Sequence, residues 1–142
     1  MRDFDDSIPL KLLKAREVTM SYFRPVLQEV ALTEQQWRVI RALRQYPDSE
    51  AKELAKRCCI LSPSLTGILT RLEQQDLISR RRSTDDQRVV LIALTPKAQQ
   101  MFEEVAPLVD ERYRHLTKQL SAADMKRLDQ LLDKILQLKP DQ

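Results

Sequence analysis

A single glycine, Gly67, in 142 residues limits what this chain can fold into. Glycine supplies the positive φ of tight reverse turns at no steric cost, and sheet-rich folds need many such turns. Leu, Gln, Glu, Lys, Arg and Ala are abundant instead, so a mostly helical chain is expected, with the seven prolines as its main turning residues. The length suits one compact domain, and the 42% apolar fraction is enough to build a core.

The first helix is expected over about residues 10–30. Leu13, Met20 and Leu27 recur every seven residues, interleaved with Arg16, Phe23 and Val30, which makes a seam for another helix. Arg16 stands on that seam where an apolar residue is the rule. A second helix opens at Thr33, with Gln36 three residues on as in a capping box, and buries Trp37, Val39, Ile40 and Leu43. Pro47 and Asp48 stop it. A short third helix over about Ser49–Arg57 buries Ala51, Leu54 and Ala55.

The clearest start signal is Ser62 as N-cap with Pro63 at the first helical position, where a missing N–H costs nothing. Leu65, Ile68, Leu69 and Leu72 follow as the buried face of this fourth helix. From Leu77 the period shortens to that of strands. Leu77–Arg82 and Val89–Leu94 form a hairpin joined by Ser83-Thr84-Asp85-Asp86-Gln87-Arg88. Thr95-Pro96 starts a long fifth helix to about Leu120, kinked at Pro107. Ser121 with Asp124 opens a sixth through Met125, Leu128, Leu132 and Ile135. The expected order is four helices, a hairpin and two helices, without repeat, linker or low-complexity run.

Two short helices joined by a tight turn, the second with a polar face of small residues, fit a helix-turn-helix. The major groove of DNA admits one helix, and its N-terminal residues reach the base edges. Here that end carries Ser62, Pro63, Ser64 and Thr66, with Gly67, Thr70 and Arg71 further along the same face. Arg71 can reach a guanine or the backbone. Gly67 has two readings: a close approach of the helix to DNA, or close packing against the third helix.

The net charge of +3 is mild, but Arg80, Arg81, Arg82 and Arg88 fall in one short segment. A basic hairpin next to a recognition helix can enter the neighbouring minor groove, where negative potential is concentrated. Arg82 and Arg88 are the candidate contacts, with Asp86 placed to orient Arg88 through a bidentate pair. The alternative is an ordinary exposed ion pair on a surface hairpin.

The run Leu32-Thr33-Glu34-Gln35-Gln36-Trp37, the run Ser62-Pro63-Ser64-Leu65-Thr66 and the wing motif Asp86-Gln87-Arg88 before Leu94-Thr95 together resemble the MarR family of bacterial regulators. The resemblance covers almost the whole chain. It implies a mainly α winged helix-turn-helix of six helices with a small β-hairpin wing, built as a triangular homodimer. A dimerisation lobe at about 1–31 and 106–142 would flank a DNA-binding lobe at about 32–105. Each subunit would set its recognition helix in half of a palindromic operator of double-stranded DNA, usually as a repressor, with activation the alternative. Ser62, Pro63, Ser64, Thr66, Gly67, Thr70 and Arg71 become groove or phosphate contacts, and Arg82, Asp86 and Arg88 the wing.

Within the family, Ala15-Arg16-Glu17, Phe23-Arg24-Pro25, Gln36-Trp37-Arg38 and the run from Cys59 to Arg71 are most similar to the branch that represses homoprotocatechuate degradation. Fatty-acid-responsive efflux repressors share much of that pattern, and Ser62 departs from it. A small aromatic carboxylic acid, such as 4-hydroxyphenylacetate or 3,4-dihydroxyphenylacetate, is then the expected effector. Arg16 can meet its carboxylate and Met20, Phe23 and Trp37 its ring, in a pocket that the resemblance puts between the two lobes. The other reading pairs Arg16 with a buried carboxylate across the dimer and leaves Trp37 in the core. Fatty acids, or oxidation of Cys58 or Cys59, are the alternative signals.

Other classes fit less well. There is no phosphate-binding glycine loop, no GxSxG elbow and no metal-ligand spacing around the single His115, so neither catalysis, a cofactor nor a metal is expected. Adjacent cysteines without a CxxC pair point to reduced, packing thiols. A helical protein-interaction module without DNA binding would leave the arginine-rich hairpin unexplained. No apolar run approaches a membrane span, and the acidic N-terminal residues lack the order of a secretory signal, so a cytoplasmic location is expected.

Overall fold

A computed structural model describes residues 1–141. After a 3₁₀ turn at Phe4–Asp6, the elements are α1 (Ile8–Ser21), α2 (Arg24–Glu29), α3 (Glu34–Gln45), α4 (Ala51–Cys58), α5 (Ser62–Gln74), β1 (Ile78–Arg82), β2 (Val90–Leu94), α6 (Pro96–Gln119) and α7 (Ala122–Leu136). The chain packs as two compact units: Arg24–Leu108, and Met1–Phe23 together with the chain from Val109 onward. α6 passes from one to the other just after Pro107, without interruption of its helical span.

Seven α-helices stand among the described residues, where six are expected from the sequence. The difference is the break at Tyr22–Phe23. Pro25 has no N–H to give the carbonyl of Ser21 and its ring excludes that carbonyl, so a helix cannot run through. α1 closes instead on short bonds, Tyr22 N to Thr19 O at 3.2 Å and Phe23 N to Met20 O at 3.0 Å. α1 also starts earlier than expected, with Ser7 Oγ accepting from Leu10 N at 3.3 Å.

The prolines open helices more than they turn the chain: Pro9, Pro25, Pro63 and Pro96 all lie in first turns. The turning is done by non-glycine residues in the left-handed region, Ala31 (φ 55°), Asp48 (56°), Cys59 (53°) and Asp76 (59°). Three of them close helices in the same way. Leu32 N reaches Leu27 O and Ala31 N reaches Gln28 O; Ile60 N reaches Ala55 O and Cys59 N reaches Lys56 O; Leu77 N reaches Leu72 O and Asp76 N reaches Glu73 O. Each pair is a Schellman motif, normally built on glycine. The residue after each turn (Leu32, Ile60, Leu77) is buried, and that apolar anchor holds the turn in place of glycine's freedom.

Around these ends the core of the Arg24–Leu108 unit closes on Leu27, Ile40, Leu54, Leu65, Leu72 and Ile92. The Thr33 capping box forms in full, with Gln36 N to Thr33 Oγ1 at 3.1 Å and Thr33 N to Gln36 Oε1 at 3.0 Å. Ala51, expected inside, is exposed at the start of α4, and Cys58 fills the core at its end. β1 and β2 pair antiparallel from Ile78↔Leu94 to Arg82↔Val90. A bridge that the sequence does not announce adds Ser49 to this ladder, through two backbone bonds with Ile92 at 3.1 and 2.8 Å.

The other unit is different in kind. α1 and α7 have no buried residue. Phe23 packs on Tyr113 with ring centroids 4.8 Å apart, and Arg112 Nε donates to Tyr22 O at 2.7 Å. Leu13 on the expected seam is 57% exposed, and Leu131 on α7 is 49% exposed. No described helix is long and apolar enough to cross a membrane.

Candidate nucleic-acid interface

α4 and α5 form the helix-turn-helix, and α5 shows the two faces that its periodicity predicts. Leu65, Ile68, Leu69 and Leu72 are buried, while Ser62, Pro63, Ser64, Thr66, Gly67, Thr70 and Arg71 are all exposed. The start differs by one residue. Ser62 is the first helical residue and Pro63 the second; the N-cap is Leu61, which makes no side-chain cap bond. The hydroxyls of Thr66 and Thr70 turn back to the carbonyls of Ser62 and Thr66, at 3.1 and 3.0 Å, leaving their oxygen lone pairs outward.

Of the two readings of Gly67, close packing against the third helix is not what the structure has. A Cβ built at this position meets nothing within 4 Å. Packing against a neighbouring helix therefore does not require glycine here. Its helix-propensity cost of about 1 kcal/mol relative to alanine buys no internal contact.

Sequence reasoning missed what fixes the turn before α5. Arg38 of α3 donates through Nη1 to the carbonyl of Cys58, the last residue of α4, at 2.6 Å. Its Nη2 donates to Glu34 Oε1 at 2.7 Å. The i,i+4 spacing of Glu34 and Arg38 is visible in the sequence; the reach to Cys58 depends on how α3 crosses α4. Burial pushes the Cys58 thiol above its ordinary pKa, with the Arg38 charge working against that shift. Cys59 beside it is exposed, and both thiols are free.

The hairpin tip is held by its own side chains. Ser83 Oγ accepts from the N–H groups of Asp85 and Asp86, at 3.2 and 3.4 Å, and Arg82 Nη1 donates to Gln87 O at 2.7 Å. Arg81 pairs with Asp48 at 3.2 Å and Arg80 with Glu73 at 3.5 Å. Arg88 stands out from this group. Its side chain is 91% exposed, yet Nε and Nη2 donate to the two carboxylate oxygens of Asp86 at 3.1 and 3.2 Å. The Arg88 backbone N–H adds a third bond to Asp86 at 3.0 Å. The side-chain bonds from Arg88, then its backbone N–H, hold the Asp86 carboxyl below its ordinary range. The result is a guanidinium presented to solvent in a fixed orientation.

The four residues expected around an effector do not share one unit. Arg16, Met20 and Phe23 belong to the unit formed by the chain's two ends, and Trp37 to the Arg24–Leu108 unit. Arg16 is about half exposed and lies 3.8 Å from Glu17. Phe23 is buried, and Trp37 is buried against Phe102 with ring centroids 5.3 Å apart. Among the described residues no group of three or more His, Cys, Asp or Glu is placed to hold a metal.

Residues 32–90, which span the helix-turn-helix and most of the hairpin, match the model of the MarR family. The homoprotocatechuate degradative operon repressor of Escherichia coli is 44% identical to the chain over 133 residues, covering 94% of this chain and 90% of that protein. The chain belongs to the MarR family. It is a DNA-binding transcription regulator, not an enzyme. Two solved structures are informative neighbours. NadR in complex with 4-hydroxyphenylacetate is 40% identical with a TM-score of 0.81, covering 98% of this chain and 99% of NadR. A MarR mutant from E. coli complexed with operator DNA is 27% identical with a TM-score of 0.85, covering 96% and 99%. The mainly α architecture with a hairpin wing is the one these structures share.

Proposed function

We propose that the chain is a homodimeric repressor that grips a palindromic operator through α5 and the wing and is released by a small aromatic carboxylic acid. The observation that carries this reading is Arg88: a fully presented guanidinium, oriented by Asp86, beside a recognition helix whose outer face is polar and small. In this reading Ser62, Pro63, Ser64, Thr66, Gly67, Thr70 and Arg71 enter the major groove, where hydroxyls and Arg71 meet base edges or phosphates. Arg88 enters the adjacent minor groove, with Arg82 bracing the loop that carries it. Two such subunits read half-sites about 34–36 Å apart, so anything that changes their separation releases DNA.

The effector reading rests on likeness and chemistry. NadR binds 4-hydroxyphenylacetate and the E. coli relative represses homoprotocatechuate degradation. We assign Arg16 as the cation for the acid, with Met20 and Phe23 of the same unit as its apolar and aromatic partners; Trp37, stacked on Phe102, belongs to the other unit. Control by oxidation falls to Cys59, since Cys58 is buried and held as the thiol.

The test is fluorescence anisotropy on the duplex upstream of the chain's own gene, with and without 4-hydroxyphenylacetate. Tight binding that weakens steeply with salt and is released by the acid supports both parts. Binding that ignores the acid keeps the repressor and removes the aromatic effector. Binding no tighter than to random DNA removes that duplex as the operator.

A further inference from the structure

Leu61 carries two local costs at once. It is the most exposed large apolar side chain of the Arg24–Leu108 unit, at 79%, against 40% for Tyr46 and Leu108 and 37% for Val90. It is also the N-cap of α5, a position where leucine ranks among the poorest residues because its side chain cannot accept a helix N–H. A single exposed leucine is ordinary on a protein surface. A leucine that is both exposed and a failed cap, on the end of a helix that reads bases, is not.

The segment is not loose. Ile60 before it is buried, and the Arg38 bond to Cys58 O fixes the turn from the other side. Leu65 N returns to Leu61 O at 2.9 Å, so the backbone of Leu61 is already part of the first helical turn. The side chain is therefore held outward, next to the exposed Ser62 and Ser64. Residues that break local rules without an internal gain mark functional sites.

We propose that Leu61 is a specificity-determining residue that packs on the C5-methyl group of an operator thymine. That methyl is the one apolar feature that base edges display in the major groove, and it marks A·T pairs alone. Ser62, Ser64 and Arg71 supply hydrogen bonds; Leu61 supplies the apolar contact that they cannot. The inference rests on α5 being the base-reading helix.

The test begins by selecting an operator from a randomised duplex library with the full-length protein. Each thymine is then replaced in turn by deoxyuridine, which removes only the methyl. One position per half-site is expected to weaken wild-type binding by about fourfold, the worth of one lost methyl contact. At that same position Leu61→Ala binds thymine and deoxyuridine equally. Leu61→Ser is expected to raise the unfolding temperature, by restoring a cap, while it lowers operator affinity to the level of Leu61→Ala. A selected operator in which no thymine methyl matters differently to wild type and Leu61→Ala overturns the role of Leu61 and leaves α5 as the reading helix. Failure of the wild type to select any sequence overturns the reading of α5 itself.

Discussion

At the scale of single residues, the candidate interface places charge and conformational cost where the fold gains little from them. Arg88 is 91% exposed, so Arg88→Ala is expected to shift stability by no more than about 0.5 kcal/mol, the usual range for surface substitutions. Its operator affinity is expected to fall by about 5- to 150-fold, the range of one good groove contact, in an anisotropy titration at moderate salt. Unchanged affinity would remove the wing from the interface. Asp86 sets the pH range of the arrangement. Its folded pKa lies below the ordinary 3.8, chiefly through the Arg88 side-chain bonds. A depressed pKa stabilises the wing above the unfolded value, and that contribution is lost as pH falls through the lower folded value. The wing thus keeps its geometry through neutral and mildly acid conditions, and an NMR titration of the Asp86 carboxyl is expected to give a midpoint below 3.8. Gly67 makes the trade-off explicit. Gly67→Ala meets no neighbour in the free protein and is expected to stabilise it by about 1 kcal/mol in urea unfolding. If the backbone there lies against DNA, the added methyl also lowers operator affinity; an unaltered affinity would leave the glycine without a function.

At the scale of elements, the break at Tyr22–Phe23 divides one expected helix body, and the other departures from expectation lie mainly at helix ends. Ala31, Cys59 and Asp76 hold left-handed conformations that cost an L-residue roughly 1–2 kcal/mol; glycine would relieve that strain but lose part of the gain to its greater unfolded-chain entropy. Ala31→Gly and Cys59→Gly are each expected to stabilise the protein by up to about 1 kcal/mol, as a higher urea midpoint with unchanged slope. A lower midpoint for both would mean that the buried Leu32 and Ile60 do not anchor these turns. The same residues explain how far the sequence could be read. The bodies of α3, α5 and the hairpin follow from periodicity, because one face of each must be buried whatever the tertiary arrangement. The Asp86–Arg88 pair follows from a spacing of two residues in a tight loop. The three Schellman turns do not, since alanine and cysteine give no conformational signal and aspartate only a weak one; the visible trace is the apolar residue that follows each. The break at Tyr22–Phe23 was legible in Pro25, but the heptad seam across it read as continuous. The Arg38–Cys58 bond and the Ser49–Ile92 bridge join distant positions whose meeting depends on packing, and no local pattern encodes them.

At the scale of the whole molecule, the unit formed by the two ends of the chain has too much apolar surface for a finished one. Val18 is 62% exposed, Leu13 57%, Leu131 49% and Leu136 81%, and neither α1 nor α7 buries a residue. On α7 the exposed Leu128, Leu131 and Ile135 stand at i, i+3 and i+7, the spacing of one helix face, and an exposed apolar face marks an interaction surface. A stable one removes at least about 1,200 Å² of surface from water. A second copy of the chain fits the need of an operator reader, since two recognition helices are rewarded only at one separation. Leu131→Asp and Leu132→Asp each set a carboxylate on α7, where its burial without a partner costs several kcal/mol. If α7 carries the proposed dimer interface, both are expected to sediment as monomers at concentrations where the wild type sediments as a dimer. Because one half-site supplies only half of the contacts, the same variants are expected to lose operator affinity far more than affinity for random DNA, with the Arg24–Leu108 unit still folded by circular dichroism. An unchanged dimer for both would take α7 out of the interface and leave α1, with Leu13 and Val18, as the face that must find a partner.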